Sequence, residues 1–229
     1  MSLAQRLAIV AMVEIAYIVA TRLVLHYLSW KSLEAESIRT ALRLGTAAIY
    51  WYLFKPLLLS RTPDLRLLAH PLPAASLALF FSIPFVVGRY ALDSGTAILF
   101  ALASIPVAIK EEFLFRGIMQ NLLAARLGPV NAILLTSAVF TVWHVGVWEM
   151  TPWVVAQIFF ASVLLGLVYV HSGSMLAVII IHAVYDALFS FTPLIPEPLH
   201  ENWGFVPLLG AVALMVCWAA RRRTAHSTV

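Results

Sequence analysis

Charged residues are scarce in this chain: Asp, Glu, Lys and Arg together make up 11% of its 229 residues, whereas 62% are hydrophobic. A soluble globular domain averages about 25% charged and about 45–50% apolar residues. The balance excludes an ordinary soluble domain and favours a polytopic membrane protein. The single cysteine, Cys217, excludes an intrachain disulfide and a cysteine-rich metal site.

The net charge of +4 does not indicate a nucleic-acid partner. The basic residues lie between apolar segments, and none forms a basic face interleaved with exposed aromatic residues. Arg221, Arg222 and Arg223 directly follow the last apolar segment, which is typical of a cytoplasmic anchor. The expected surroundings are therefore a lipid bilayer.

Eight apolar segments can be placed along the chain, most of them close to the ~20 helical residues that span ~30 Å of hydrocarbon. They predict an all-α bundle of about eight transmembrane helices, forming one domain over residues 1–229. The segments are Leu7–Leu28, Ala41–Leu59, Ala74–Val87, Ala97–Leu127, Val130–Trp148, Pro152–Val170, Met175–Phe191 and Phe205–Ala220.

The basic residues predict the orientation of this bundle, because Lys and Arg favour the cytoplasmic side. With the N-terminus inside, the inner segments hold eight basic residues and the outer segments four: Arg6, Lys55, Arg61, Arg66, Arg126 and Arg221–Arg223, against Lys31, Arg39, Arg43 and Arg89. We therefore expect both termini in the cytoplasm. The compact chain favours a prokaryotic plasma membrane.

Two adjacent carboxylates, Glu111 and Glu112, interrupt an apolar segment. Ionisable residues at membrane depth cost several kcal/mol, so they usually face a polar interior and carry function. Glu112 and Arg116 are four residues apart with the acid first, the favourable order for an ion pair on one helical face. Glu111 is rotated by ~100° and lacks that partner, so it suits a proton acceptor. Lys110 is expected to snorkel or to balance the glutamates, and Glu14 to make an interhelical or interfacial contact.

The next segment brings His144 to a comparable depth. Gly128-Pro129 predicts a turn, so that the helices before and after it form an antiparallel hairpin. Glu111 precedes Gly128 by 17 residues and His144 follows Pro129 by 15, which are depths of ~25 and ~22 Å. The two side chains can therefore meet at one level.

A third polar pair, His182 and Asp186, lies four residues apart on one face of the seventh segment. Asp186 could fix the orientation of His182, or both could point at a substrate. A pair that only holds helices together is an equally good interpretation of this motif alone.

Together, Glu-Glu-x-x-x-Arg at 111–116, Phe-x-x-x-His at 140–144 and His-x-x-x-Asp at 182–186 resemble the CAAX protease and bacteriocin-processing (CPBP, or Abi) intramembrane proteases. The order and spacing of the motifs fit, and the resemblance covers roughly 97–191, which we take as the catalytic core. The family's third motif ends in Asn or Asp, and Asp186 falls within that pattern.

The resemblance implies hydrolysis of a peptide bond in a membrane-associated or lipidated substrate. Glu111 would be the general base that activates a water and His144 would help to hold it. His182 and Asp186 would stabilise the oxyanion, and Glu112 and Arg116 would give structural support. Family members have been described as metalloproteases and as metal-independent glutamate proteases.

A zinc site would take Glu111, His144 and His182 from three helices, but there is no H-E-x-x-H. We favour the metal-independent mechanism because Glu111 suffices as a base. Two other classes remain open. A transporter would also place Glu, His and Asp at mid-membrane, although it is expected to show internal repeats. A non-enzymatic membrane partner or immunity protein would use the same residues as scaffold.

Overall fold

The structure is a computed structural model that describes residues 1–87, 93–146, 150–191 and 204–227. Arg89 and Trp148, which entered the predictions above, lie outside these residues. Within them the chain is helical and contains no β-strand, which confirms the all-α prediction. The helices are α1 (Leu3–Tyr27), α2 (Leu33–Leu58), α3 (Arg66–Ala69), α4 (Pro71–Val87), α5 (Ser94–Glu112), a π-helix (Phe113–Gln120), α6 (Asn121–Trp143), α7 (Pro152–Ser172), α8 (Met175–Ser190) and α9 (Phe205–Ser227).

Three stretches are long and apolar enough to cross a membrane: Leu3–Tyr27, Pro152–Ser172 and Phe205–Arg222. Two further apolar helices are shorter, Pro71–Val87 and Met175–Ser190. All eight predicted apolar segments are helical over most of the parts that the structure describes, although the fifth, Val130–Trp148, leaves the helix after Trp143. The four-residue helix α3 was not predicted.

The local sequence explains where several helices begin. Ser32, Asp93, Thr151 and Ser174 each accept a hydrogen bond from a backbone amide in the first turn of the following helix. Such caps satisfy amides that have no partner within the helix and contribute about 0.5–2 kcal/mol. Polar residues therefore mark helix starts in a chain that is apolar almost everywhere else.

Helix α2 begins eight residues earlier than the predicted segment, which started at Ala41. Arg39 and Arg43 were assigned to an outer segment, but both lie within α2. Arg43 is buried and pairs with Glu36, whose other oxygen is 2.8 Å from Arg39. The prediction of the helix start was wrong because hydropathy penalises these charges, whereas their mutual pairing offsets the cost of burial.

The predicted turn at Gly128-Pro129 is confirmed. Gly128 has φ 77° and ψ 164°, which breaks α6 into two parts. The Phe115 and Phe140 rings, on opposite sides of the turn, lie 4.8 Å apart. The chain therefore folds back as an antiparallel hairpin at this point.

The hydrophobic core has two clusters of buried residues. One joins α1, α2, the π-helix and both parts of α6; the other joins α3, α4, α7, α8 and α9. The π-helix belongs to the first cluster and α8 to the second. Polar residues at the junction of α5 with the π-helix and on α8 therefore lie where the two clusters meet.

Candidate active site

The two glutamates end α5, and the backbone continues directly into the π-helix Phe113–Gln120. The sequence was interpreted as uninterrupted α-helix, so this part of the prediction was wrong. π-helical turns are rare and frequent at functional sites. The Glu112–Arg116 pair forms nevertheless, with Nη1 3.1 Å from Oε1, because one wider turn still leaves the two residues on neighbouring positions of the helix surface.

Arg116 is fully buried and ties the π-helix to α7. Its Nη2 donates to the carbonyl and to the hydroxyl of Ser162, at 3.2 and 3.1 Å. Its guanidinium also lies 5.0 Å from the centre of the Phe140 ring on α6. Sequence reasoning missed Ser162, because nothing in a single serine of an apolar helix signals a contact 46 residues away.

His182 on α8 donates from Nδ1 to Oε1 of Glu112, at 2.6 Å. The direction follows from the partner: the same oxygen accepts from Arg116 and so acts as a carboxylate acceptor. Nε2 faces two more carboxylates, 3.3 Å from Asp186 and 4.0 Å from Glu111. Sequence analysis offered Asp186 as the residue that orients His182, whereas the shorter contact is made by Glu112.

Glu111 has the carboxylate with the fewest partners at this site. Its side chain is 13% exposed. Its Oε2, the oxygen that faces Nε2 of His182, is buried and accepts no hydrogen bond from any residue that the structure describes. Buried polar atoms are nearly always bonded, so an orphan calls for an explanation such as a catalytic role.

His144 lies at the end of α6 with its Nδ1 2.8 Å from the carbonyl oxygen of Phe140. A carbonyl only accepts, so Nδ1 carries the proton and Nε2 of the neutral ring is an acceptor. The prediction that Glu111 and His144 lie at one level of the hairpin is confirmed by the residues that precede each of them, since the Lys110 ammonium lies 4.7 Å from the centre of the Trp143 ring. No hydrogen bond or ion pair joins His144 to Glu111 within the described ranges.

Phe140 connects the histidines instead. Its ring centre is 4.5 Å from that of His144 and 6.3 Å from that of His182. The structure thus gathers Glu111, Glu112, Arg116, His182 and Asp186 into one contact network and leaves His144 beside it, across one aromatic ring.

Residues 93–188, which contain this whole network, match the family model described as type II CAAX prenyl endopeptidase Rce1-like. The match covers less than half of the chain, and over these residues the chain is similar to that family. No curated protein matches the chain. The Rce1-like segment contains α5, the π-helix and α6 to α8, and it excludes α1 to α4 and α9. The chain therefore combines a segment similar to a protease family with three helical stretches that are apolar enough to cross a membrane.

The Rce1-like segment does not gather ligands for zinc. Within the part of the chain that the structure describes, no three His, Cys, Asp or Glu side chains are arranged to hold a metal ion. Of the proposed set of Glu111, His144 and His182, only Glu111 and His182 approach each other. The side chains as placed do not fit a three-ligand metal site.

Lys110, immediately before the glutamates, neither snorkels nor contacts them. It is buried, and its ammonium lies 2.6 Å from Oε2 of Glu14 on α1. The other oxygen of Glu14 accepts from the Tyr50 hydroxyl on α2. The ammonium also lies over the rings of Tyr17 and Trp143, 4.2 and 4.7 Å from their centres. Glu14 therefore makes an interhelical contact, one of the two interpretations given above.

Proposed function

We propose that this protein is an intramembrane endopeptidase that cleaves a peptide bond of a membrane-associated or lipidated substrate. The observation that carries the proposal is the orphan Oε2 of Glu111, 4.0 Å from Nε2 of His182 in a buried setting. The match of residues 93–188 to a family model of endopeptidases supports it.

In the proposed reaction, Glu111 accepts a proton from a water molecule while the water oxygen attacks the carbonyl carbon of the peptide bond. A second hydrogen bond from the same water goes to Nε2 of His144, which is an acceptor because Nδ1 is committed to Phe140. The protonated Glu111 then donates to the leaving amine as the C–N bond breaks. General base catalysis of this kind contributes about 10²–10⁴-fold.

The negative charge that forms on the carbonyl oxygen must be stabilised by hydrogen-bond donors. His182 can be one of them when its ring is doubly protonated. Its Nδ1–H is used by Glu112, so Nε2 can donate only when both ring nitrogens are protonated. The ionised Glu112 lies against that imidazolium ring and stabilises it. Asp186 can donate only in its protonated form; ionised, it stabilises the imidazolium from the other side. An oxyanion donor in a dry site is worth about 10²–10³-fold.

We also propose that catalysis is independent of metal, because the base and the donors are supplied by side chains alone. For the topology we propose about eight spans with both termini in the cytoplasm, as the distribution of Lys and Arg predicts. Labelling of single cysteines placed in successive loops from each side of the membrane tests this orientation, with Cys217 replaced by serine.

The test of the activity is cleavage of lipidated and unlipidated membrane peptides by the purified full chain in liposomes. We compare wild type with Glu111→Gln, which keeps the shape but cannot accept the proton. Glu34→Gln is the matched control, because Glu34 is exposed at the start of α2. The proposal predicts loss of cleavage in Glu111→Gln alone. Equal cleavage by all three proteins would contradict it, and a chelator effect that zinc reverses would contradict metal independence.

A transporter or a non-enzymatic partner would behave differently in the same experiment. A transporter would move a solute and leave the peptide intact. A partner or immunity protein would show no turnover by wild type, and Glu111→Gln would change only its abundance. Both results would overturn the proposed function.

A further inference from the structure

A second site lies where α3 and His70, the residue before α4, meet the C-terminal part of α9. A pocket of about 360 Å³ opens there, and we call it the basic pocket. It is lined by Arg66, Leu67, His70, Trp218, Arg221 and Arg222. None of these residues belongs to the proteolytic site, and α3 and α9 lie outside the Rce1-like segment.

The basic pocket has an apolar floor and a cationic rim. Leu67 and Trp218 are buried, whereas Arg66, Arg221 and Arg222 are exposed. The Arg222 guanidinium lies 5.2 Å from the centre of the Trp218 ring, so this cation is held over the aromatic floor. The basic pocket therefore presents positive charge at its rim and a flat apolar surface below it.

Asp64 contacts Arg66 and Arg222 at this pocket, through the Arg66 backbone amide and the Arg222 guanidinium. Oδ2 of Asp64 is 3.9 Å from Nη2 of Arg222, and the two side chains are 42% and 46% exposed. An ion pair so long and so exposed contributes little and leaves the guanidinium available. Guanidinium groups bind phosphate oxygens in a fork of parallel hydrogen bonds. The two positive charges of Arg66 and Arg222, against the one negative charge of Asp64, therefore match an anionic phosphate group.

The position of the pocket decides between a lipid and a soluble phosphate. The apolar residues of α9 end at Ala220, and Arg221–Arg223 follow directly, so the rim lies where the hydrocarbon region is expected to end. An exposed apolar stripe on α9 leads to it, with Val206 60%, Leu209 40% and Val216 49% exposed. Cys217 is also exposed, and Arg221 follows it by four residues on the same side of the helix. Acyl chains lying on the stripe would place their phosphate at the rim.

We propose that the basic pocket binds the headgroup phosphate of an anionic phospholipid. Arg66 and Arg222 form charge-assisted hydrogen bonds to its phosphate oxygens, and Trp218 supports the glycerol region, as aromatic residues do at membrane interfaces. A zwitterionic lipid carries a cationic amine beside its phosphate, which the arginines repel. The site therefore selects lipids by net charge.

The experiment measures binding of phosphatidylglycerol and of phosphatidylcholine to the detergent-solubilised full chain by native mass spectrometry. The pocket variant is Arg66→Gln with Arg222→Gln, both exposed, so that the fold is expected to survive. The matched control is Lys55→Gln with Arg126→Gln, two exposed basic residues outside the pocket. Circular dichroism checks each protein. If the double variant does not fold, Arg222→Gln alone replaces it.

We expect wild type and control to prefer phosphatidylglycerol and the pocket variant to lose about tenfold to a hundredfold in affinity for it, the effect of losing two charge-assisted contacts. Equal losses in the two double variants would show unspecific charge attraction and overturn the site. A separate arm adds inorganic phosphate and follows the thermal unfolding temperature. Stabilisation by phosphate with no preference for phosphatidylglycerol would overturn the lipid assignment.

Discussion

Nδ1 of His182 lies 2.6 Å from Oε1 of Glu112, which joins α8 to the end of α5. The same oxygen accepts from Arg116 at 3.1 Å. One carboxylate oxygen thus connects a buried cation to the histidine that faces Glu111. Glu112 therefore engages Nδ1 of His182 and leaves Nε2 facing Glu111 and Asp186, and Nε2 is the nitrogen that we propose serves the substrate.

Glu112→Gln is expected to destabilise the protein by about 3–5 kcal/mol, because it leaves the buried Arg116 charge without its partner. Adding Arg116→Met removes that charge and restores much of the unfolding temperature. Cleavage stays low in the double variant, since His182 has lost its ionised acceptor. Thermal unfolding and peptide cleavage measure the two effects separately.

Recovery of both stability and cleavage in that double variant would show that Glu112 acts only through Arg116. The control is Glu34→Gln, which makes the same chemical change at an exposed position. It should leave both measurements unchanged.

Ser162→Ala is expected to cost about 1.5–3 kcal/mol, the range for a hydrogen bond to a charged group. Its hydroxyl bonds Arg116 across to α7, at 3.1 Å. Ser104→Ala is a matched control, because the Ser104 hydroxyl bonds only the Phe100 carbonyl of its own helix. Equal shifts of the unfolding temperature in the two variants would contradict the tertiary role of Ser162.

The dependence of cleavage on pH should be bell-shaped. Glu111 must be ionised to accept a proton, so activity falls as acid protonates it. His182 must be protonated on both nitrogens to donate from Nε2, so activity falls as alkali removes that proton. In His182→Gln an amide replaces the imidazolium, and the alkaline limb should disappear while the acid limb remains. A pH profile of kcat/KM with both limbs unchanged in His182→Gln would contradict the assignment.

The role of Asp186 can be tested with asparagine, the other residue that ends the third motif of the related proteases. Asp186→Asn supplies an amide NH₂ group, which donates a hydrogen bond at any pH, whereas a carboxylate must first be protonated. Cleavage should therefore persist in this variant. Asp186→Ala removes the group, and kcat should fall by about 10²–10³-fold if it is an oxyanion donor. The side chain is 34% exposed, so neither change should alter stability much. Loss of cleavage in both variants, with KM unchanged, would indicate that the carboxylate charge is required.

Lys110→Met is expected to destabilise the bundle by about 3–5 kcal/mol, because the buried Glu14 carboxylate would lose the cation that neutralises it. The double variant with Glu14→Gln should recover part of the loss. Tyr50→Phe, which removes one hydrogen bond to Glu14, should cost about 1.5–3 kcal/mol. Unfolding temperatures are measured for all of these variants. Additive effects of Lys110→Met and Glu14→Gln would contradict a direct ion pair between the two residues.

Prediction worked best where a contact depends on residues close in sequence. The Glu112–Arg116 pair and the approach of Asp186 to His182 are both four residues apart, and both are present. The turn at Gly128 followed from Gly-Pro chemistry, and the level of the hairpin followed from counting residues at a fixed rise.

Contacts between helices were predicted poorly. The bond of Glu112 to His182, the pair of Lys110 with Glu14 and the bond of Arg116 to Ser162 were all missed. Each depends on how two helices are rotated toward each other, which no periodicity in one segment specifies. The early start of α2 was missed because hydropathy cannot show that Glu36 will neutralise Arg43.

The sequence alone determined the all-α class, because a chain with 62% hydrophobic residues and 11% charge has few alternatives. It also determined the small set of polar residues from which a site could be built, since each is costly in an apolar segment. Only the tertiary structure decided which of them meet. It assigned Lys110 to Glu14, shared Glu112 between Arg116 and His182, and left Oε2 of Glu111 unpartnered, because burial and orientation depend on how the helices pack.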